Sequence, residues 1–296
     1  MDTKTSLATR HLSKLHFVVE STYHLKMNIF IYSIYYNDDT LKKVPNRLIP
    51  LNNSNNNRND WFEFLPILNY LRNNKLNDDD WYGFLSPKFF DKTGFSSNYI
   101  FHVLENFGHV ADVALFSSDW DQLSYFLNPW EQGEYWHPGL TAETQKFLDS
   151  CNIKIKLEEL VTDSTCSVFA NYVIAKKIYW DRWKEIAELF FKYAEDPNNN
   201  LNYLKVKYGS EDNQYPLKTF IQERFSTLIL ATEFYKVLTP DQSLEKPIYS
   251  RLFEDGINSR RILIALDLIK RLHRKKLDPN ILKTYWLLRE EIKFKG

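Results

Sequence analysis

DVALFSSDWDQLSYFLNPWEQGEYWHPG, residues 112–139, is the stretch from which the architecture of this chain is best inferred. It opens with a short apolar strand, Val113 to Phe116, and continues through two serines into Asp119-Trp120-Asp121. Open α/β sheets bind their ligands beyond the carboxyl ends of their strands. The stretch therefore predicts a polar site that directly follows a buried strand.

The two carboxylates of the Asp119-Trp120-Asp121 motif have two readings. At this spacing they can share one Mn²⁺ or Mg²⁺, whose other ligands would be phosphate oxygens, because hard cations take oxygen ligands. An aspartate after two serines is also a common helix N-cap, here for a helix from Trp120 to Leu127. The motif alone leaves both readings open.

Polar and aromatic side chains alternate in the second half of the stretch. A sugar presents hydroxyls on its rim and C–H groups on its faces, so this mixture suits a carbohydrate ligand. We expect acceptor contacts from Glu131, Glu134, Trp136 and His137.

The composition excludes several classes of protein. Lys and Arg together number 38, as do Asp and Glu, whereas nucleic-acid binders carry an excess of positive charge. The chain has 16% aromatic residues and only 8 glycines, which argues against a disordered chain or a glycine-rich dinucleotide site. Two cysteines without CxxC spacing indicate a reducing compartment. Without a signal-peptide pattern or a membrane-spanning apolar run, we expect a cytoplasmic protein.

The order of predicted elements indicates an α/β fold with a mostly parallel sheet flanked by helices. Strands are predicted at 28–36, 81–85, 113–116 and 165–176, and helices at 60–72, 97–107, 141–150, 179–194 and 216–237. A polar segment precedes the first strand, so we predict an N-terminal extension at 1–26 and a main domain at 27–240.

Two further segments carry candidate ligand contacts. Tyr32 and Tyr36 lie on and just beyond the first strand and are candidates for stacking on a nucleobase. Lys88 and Lys92 follow the strand at 81–85, where they are able to meet a diphosphate as point charges. A capping turn and a solvated loop are the simpler alternatives for these two segments.

A C-terminal helical segment is predicted for residues 241–296. Its first helix, from about Gly256 to Lys275, is basic and amphipathic, a pattern that is able to lie on an anionic membrane surface. A solvated helix packed on the domain is the alternative.

Four segments together resemble bacterial glycosyltransferases of the GT-A type that are found in capsule and lipopolysaccharide loci. They are MNIFIYSIYY, WYGFLSPKFFDKTG, DVALFSSDWD and the pair NYVIAKKIYWDRWKEIAELFF and FIQERFSTLIL. The resemblance spans residues 27–237 and implies a GT-A-like sheet that binds a nucleotide-sugar donor.

The resemblance also implies roles for individual residues. The donor diphosphate would lie on a divalent metal, with Asp121 as direct ligand and Asp119 contacting the ribose or a metal-bound water. Glu223 resembles the carboxylate base that deprotonates the acceptor hydroxyl, and Glu131, Glu134 and His137 are its rivals. The implied acceptor is a glycan or a lipid-linked glycan.

Two other functions are compatible with the same residues. One is a non-catalytic carbohydrate-binding or assembly protein, since a fold does not fix a function. The other is a metal-dependent phosphoryl-transfer or hydrolytic enzyme that uses Asp119 and Asp121.

Overall fold

The computed structural model of this protein describes residues 27–208, 210–243, 246, 248, 252–254, 256–293 and 295. The predicted N-terminal extension, residues 1–26, lies outside the described residues. Six strands form the main sheet: β1 Ile29–Tyr35, β2 Ile49–Asn52, β3 Trp81–Leu85, β4 Val113–Leu115, β5 Val173–Lys176 and, last in the chain, β8 Val237–Leu238. A separate antiparallel ribbon consists of β6 Lys205–Tyr208 and β7 Ser210–Pro216.

Helices occupy the connections and the C-terminal region. They are α1 Asp38–Leu41, α2 Phe64–Asn73, α3 Phe89–Thr93, α4 Ser97–Phe107, α5 Trp120–Tyr125, α6 Pro129–Trp136, α7 Leu140–Ser150, α8 Lys177–Glu195, α9 Leu217–Gln222, α10 Phe225–Thr232, α11 Ile257–Lys276 and α12 Pro279–Arg289.

The main sheet is mostly parallel, as the sequence predicts. Its order is β2-β1-β3-β5-β4-β8, and β5 alone runs antiparallel to its neighbours. The chain moves from β1 to β2 on one side and then to β3 on the other. Strand order therefore reverses between β1 and β3, and such switch points are where open sheets form ligand crevices.

Local sequence signals account for several helix boundaries. The side chains of Ser96, Asn128 and Asp278 each accept a hydrogen bond from a backbone N–H at the start of α4, α6 and α12. Proline stands at the first position of α6 and of α12, where its missing N–H costs nothing.

Two sequence predictions of regular structure are wrong. The strand predicted from Thr165 forms only at Val173–Lys176, because the Asp163 carboxylate and carbonyl hold the preceding residues in turns and Ala170 adopts a left-handed conformation. The long helix predicted from Pro216 to Val237 is two helices, with a break at Glu223 and Arg224.

Two apolar clusters form the core of the described residues. The larger one surrounds the main sheet. The smaller one joins α5 and the following segment to α11 and α12 through Trp120, Tyr125, Leu263, Leu266 and Tyr285, all buried. The C-terminal helices are therefore packed directly beside the Asp119-Trp120-Asp121 motif.

Candidate functional site

A cavity of about 820 Å³ opens at the carboxyl edge of the main sheet. Tyr36 directly follows β1, Asn53 follows β2 and Ser86 follows β3, and all three line the cavity. Asp119, beyond the end of β4, lines it as well. Because parallel strands end at the same edge, residues far apart in sequence meet here.

The antiparallel strand contributes from its other end. Residues 169–172 precede β5 and line the cavity, since an antiparallel strand starts where its parallel neighbours finish. The opposite wall is formed around the break between α9 and α10, by Thr219, Phe220, Gln222, Glu223 and Arg224.

Two buried polar atoms in the cavity wall, Asn171 Oδ1 and Thr219 Oγ1, have no hydrogen-bond partner among the described residues. The Tyr36 hydroxyl interacts with the side chains of Glu63 and Asn53. An unsatisfied buried polar group costs about 1–3 kcal/mol, so native proteins leave few of them. Both unsatisfied atoms face the cavity, where a solvated or ligand-bound state would satisfy them.

Glu223 is a half-buried carboxylate in this wall. Within the described part of the chain, no hydrogen bond or ion pair engages its side chain. Burial raises its pKa above the ordinary value, and the charge of Glu63 acts in the same direction, whereas Arg224 and Lys92 oppose it. A carboxylate with a raised pKa is a stronger base than an ordinary carboxylate, and Glu223 faces a polar cavity.

Glu63 is a second cavity carboxylate, which our reading of the sequence did not identify. Burial raises its pKa, and the charges of Lys92 and Lys88 lower it. Its only signal in the sequence is an acidic residue between Phe62 and Phe64 at the start of an apolar helix face. Acidic residues are common near helix starts for other reasons, so this signal was not decisive.

Lys88 and Lys92 both line the cavity, on the loop and helix that follow β3. Lys92 influences the pKa of both Glu63 and Glu223, which places its ammonium group within electrostatic range of the two carboxylates. The site therefore combines two acidic groups with two lysines, whose positive charges suit an anionic ligand group.

Arg224 fixes the wall that carries Glu223. Its guanidinium donates to the carbonyls of Pro129 and Phe220 at 2.8 and 2.6 Å, and to Gln132 Oε1 at 2.9 Å. Burial lowers its pKa to about 10, far enough above neutrality that the group stays charged. The side chain thus ties α6 to the break between α9 and α10.

Backbone strain is concentrated around the cavity. Phe62, Asp119 and Ala170 line it and have φ values of 44°, 56° and 56°, in the region that favours glycine. Strained residues of this kind cost of order 1–3 kcal/mol each and cluster at functional sites. Asp119 occupies the N-cap position of α5 but makes no side-chain capping hydrogen bond, so the simple capping interpretation does not account for its carboxylate.

The two aspartates of the motif occupy different environments. Asp119 is partly exposed and lines the cavity, whereas Asp121 is completely buried in the first turn of α5 and is not part of the lining. Among the described residues, no group of three or more His, Cys, Asp and Glu side chains is placed to hold a metal ion. Of the two predicted metal ligands only Asp119 lines the cavity, so an ion there would have to take its remaining ligands from substrate phosphates and water.

Of the two tyrosines predicted to contact a nucleobase, only one lines the cavity. Tyr36 lines the cavity, and burial and the charge of Glu63 raise its pKa. Tyr32 lies outside the lining, where its hydroxyl is 2.5 Å from the Tyr70 hydroxyl and its ring stacks on Phe84 at 5.4 Å. Its period-two position in β1 directs it to a helix-covered face of the sheet.

Three of the predicted acceptor contacts lie outside the cavity lining. Glu131 pairs with Arg289 at 2.7 Å, and Glu134 accepts hydrogen bonds from the backbone of Gly139 and Thr141. Trp136 is 44% exposed, beyond the cavity. Each of the two glutamates has a structural partner, so neither is available as an unpaired base in this arrangement.

His137 does line the cavity and is buried. Its ring stacks on Phe220, with centroids 3.7 Å apart and an interplanar angle of 24°. Burial lowers its pKa to about 4, helped by the charge of Arg224, so the imidazole is neutral at physiological pH. A neutral His137 is able to orient a hydroxyl but is a weak base compared with Glu223.

An aromatic pair, Phe62 and Tyr215, forms part of the rim. Their ring centroids are 5.5 Å apart, and Tyr215 is supplied by the ribbon of β6 and β7. Neither residue was predicted: Tyr215 lies in KVKYGSEDNQYP, a polar sequence that resembles a loop, and Phe62 lies within the helix predicted at 60–72. Rings at a cavity rim are suited to the C–H faces of sugars.

Comparison with known proteins found no matching family model, no matching curated protein and no matching solved structure. No helix among the described residues is both long enough and apolar enough to cross a lipid bilayer. The cavity is consequently the feature from which a function is inferred.

Proposed function

We propose that this protein is a glycosyltransferase that moves a sugar from a nucleotide-sugar donor to a hydroxyl of a glycan acceptor. The observation that carries the proposal is the Glu223 carboxylate, which no hydrogen bond or ion pair of the described residues engages and whose pKa is raised by burial, in a polar cavity at the carboxyl edge of a mostly parallel sheet. A nucleotide sugar and a glycan hydroxyl supply the complementary donors and acceptors. A GT-A-like identity for this sheet is part of the proposal, as the sequence resemblance implies.

The donor nucleotide would occupy the strand-order switch between β1 and β3. Tyr36 and Asn53 would contact the base or ribose, and Lys88 and Lys92 would neutralise the diphosphate. Asp119 would contact the ribose or hold Mn²⁺ or Mg²⁺ together with diphosphate oxygens. When bound, such an ion adds positive charge at the leaving group.

Glu223 would act as the general base. The acceptor oxygen attacks the anomeric carbon while its proton passes to the Glu223 carboxylate, and the bond from that carbon to the phosphate oxygen breaks. The nucleoside diphosphate leaves with the bonding electrons, and the ammonium groups of Lys88 and Lys92 stabilise its added charge. This direct displacement inverts the anomeric configuration.

The acceptor would enter past Phe62 and Tyr215. Stacking on these rings leaves its hydroxyls facing Thr219, His137 and Glu223, all in the cavity lining. We place the reaction on the cytoplasmic side of a membrane, where a lipid-linked glycan would be within reach of a peripheral enzyme.

The test of this proposal is a Glu223→Gln variant assayed for nucleotide release from a panel of UDP-, GDP- and CMP-sugars, with mono- and disaccharides as acceptors. The proposal predicts that turnover is lost by 10²–10⁴-fold while nucleotide affinity is kept. Glu158→Gln, at an exposed position, is the charge-matched control. Nucleotide binding without turnover in the parent protein would favour a binding protein instead.

A glycoside hydrolase is the second candidate, because Glu63 and Glu223 are two carboxylates with raised pKa on one cavity. Such pairs cleave glycosides with one residue as acid and the other as base or nucleophile. Release of nitrophenol from nitrophenyl glycosides, lost in both Glu63→Gln and Glu223→Gln and independent of nucleotide, would support this alternative over transfer.

A further inference from the structure

The basic helix α11 presents two different faces. Its inner face contains Leu263, Leu266, Asp267 and Lys270, which are all buried. These residues pack the helix against α5 and α12. Only the outer face is available for an interaction with another body.

Several of the basic side chains of the helix are used within the fold. Lys270 is completely buried and donates to the carbonyls of Leu123 and Phe126 at 2.5 and 2.6 Å. Arg274 pairs with the buried Asp163 at 2.7 Å. The basic character read from the sequence is therefore partly structural, and these two residues contribute little to an external surface.

The outer face combines exposed apolar residues with exposed cations. Ile257, Leu268 and Leu272 are 66%, 54% and 46% exposed. Positions three, four and seven residues apart lie on one side of a helix, so Arg261 and Lys275 share this side with them. The outer stripe, as we define it, consists of Ile257, Arg261, Leu268, Leu272, Lys275 and Lys276.

The charge of the outer stripe is uncompensated by its own helix. The only acidic residue of α11 is Asp267, which is on the inner face and accepts hydrogen bonds from Ser164 and Arg271. The whole chain has a net charge of +0, so attraction to an anionic body must arise from a local patch such as this one. Leu277, 76% exposed, extends the apolar area at the end of the helix.

We infer that the outer stripe of α11 docks on the surface of an anionic lipid bilayer. Cationic side chains meet the lipid phosphates, and the leucines enter the boundary between headgroups and acyl chains. Nucleic acid would match the cations but would gain nothing from three exposed aliphatic side chains. An anionic bilayer interacts favourably with both the cationic and the apolar side chains of the outer stripe. This inference is independent of the proposed transferase activity.

Vesicle co-sedimentation of the full-length protein tests the inference. The probes are vesicles of phosphatidylcholine alone and of phosphatidylcholine with about a third phosphatidylglycerol. Each cation near an anionic surface is worth about fivefold in partitioning, so Arg261→Gln/Lys275→Gln/Lys276→Gln should lower binding to the anionic vesicles roughly a hundredfold. Leu268→Ser/Leu272→Ser should lower it too. Salt at 0.5 M, where the screening length is about 4 Å, should weaken vesicle binding by the parent protein.

Matched controls remove the same groups elsewhere. Lys42→Gln/Lys146→Gln/Lys156→Gln removes three exposed cations, and Leu189→Ser/Phe234→Ser removes two exposed apolar side chains, all outside α11. Both controls should bind vesicles like the parent. No binding to anionic vesicles at low salt, or binding that the stripe variants leave unchanged, overturns the inference. So does a leucine-dependent dimer in place of vesicle binding, or RNA binding that depends on the cations alone.

Discussion

The guanidinium of Arg224 lies against the Cα of Gly133: a Cβ at position 133 would come within 2.5 Å of Arg224 Nη2 and 2.1 Å of Leu140 Cδ2. This close approach joins α6, which follows the Asp119 motif, to the helix break that carries Glu223. The contact thereby fixes the position of α6 relative to the break between α9 and α10, two segments about ninety residues apart in sequence.

Gly133→Ala should lower the free energy of unfolding by about 1–3 kcal/mol, because the added methyl group overlaps Leu140 and an arginine, Arg224, that donates three hydrogen bonds. Gly256→Ala is the control, since a Cβ there meets nothing within 4 Å. Urea denaturation of both variants measures the difference. Equal, small effects at the two positions would show that Arg224 is free to move aside.

Ala170→Gly should stabilise the protein by up to about 1 kcal/mol. Its left-handed backbone costs an alanine about 1–2 kcal/mol, which exceeds the extra entropy that a glycine loses on folding. Ala142→Gly, at an exposed position in α7, should destabilise by a similar amount. Destabilisation by both substitutions would indicate that the methyl group of Ala170 contributes packing at the cavity wall.

Protonation of His137 should destabilise the fold in acid. Its pKa is about 4 in the folded protein, below the ordinary 6.5, so the unfolded chain takes up the proton first. The stabilisation is present above pH 6.5 and is lost as pH falls from 6.5 through 4, by an amount on the order of 3 kcal/mol. A His137→Gln variant measured over the same range should lack this part of the pH dependence, and parallel curves for the two proteins would contradict the assignment.

Glu63→Gln should extend the proposed transferase activity to lower pH. The negative charge of Glu63 raises the pKa of Glu223, so its removal lowers that pKa and leaves the base ionised in more acidic solution. The midpoint of the acidic limb of kcat/KM should therefore move down, whatever the variant does to the maximal rate. An unmoved midpoint would mean that another group titrates on this limb.

The sequence predicts the sheet more securely than the site. Apolar strands that lead into polar residues, as at Val113 to Asp119, placed the cavity at the correct edge, since strand direction follows from element order. Which side chains of a predicted segment line the cavity was less predictable. Asp119 and Asp121 are two positions apart, yet only Asp119 lines the cavity. The helix predicted from Trp120 does form, as Trp120–Tyr125, and its first turn carries Asp121 into the core, an outcome that the motif alone left open.

Other site residues depend on contacts that no local pattern reports. In the sequence, Glu131 and Glu134 have no evident partners. In the folded chain, Glu131 pairs with Arg289, and Glu134 accepts a hydrogen bond from the backbone of Gly139. Glu63 and Tyr215 reach the cavity from a helix start and from a ribbon, both distant in sequence from the motif. Periodicity identifies buried faces, whereas a binding site is assembled from the ends of several elements.

The most direct test of the central claim is a thermal-shift titration of the protein with UDP, GDP, CMP and their sugars, each with and without Mn²⁺. A nucleotide at about a hundred times its Kd stabilises the folded state by about 2.7 kcal/mol, which corresponds to a rise in Tm of about 5 °C for a chain of this size. We predict such a rise for one nucleotide class, its loss in Lys88→Gln/Lys92→Gln, and its retention in the control Lys146→Gln/Lys156→Gln. No shift with any nucleotide, or a shift that both double variants retain equally, would contradict a donor site in this cavity.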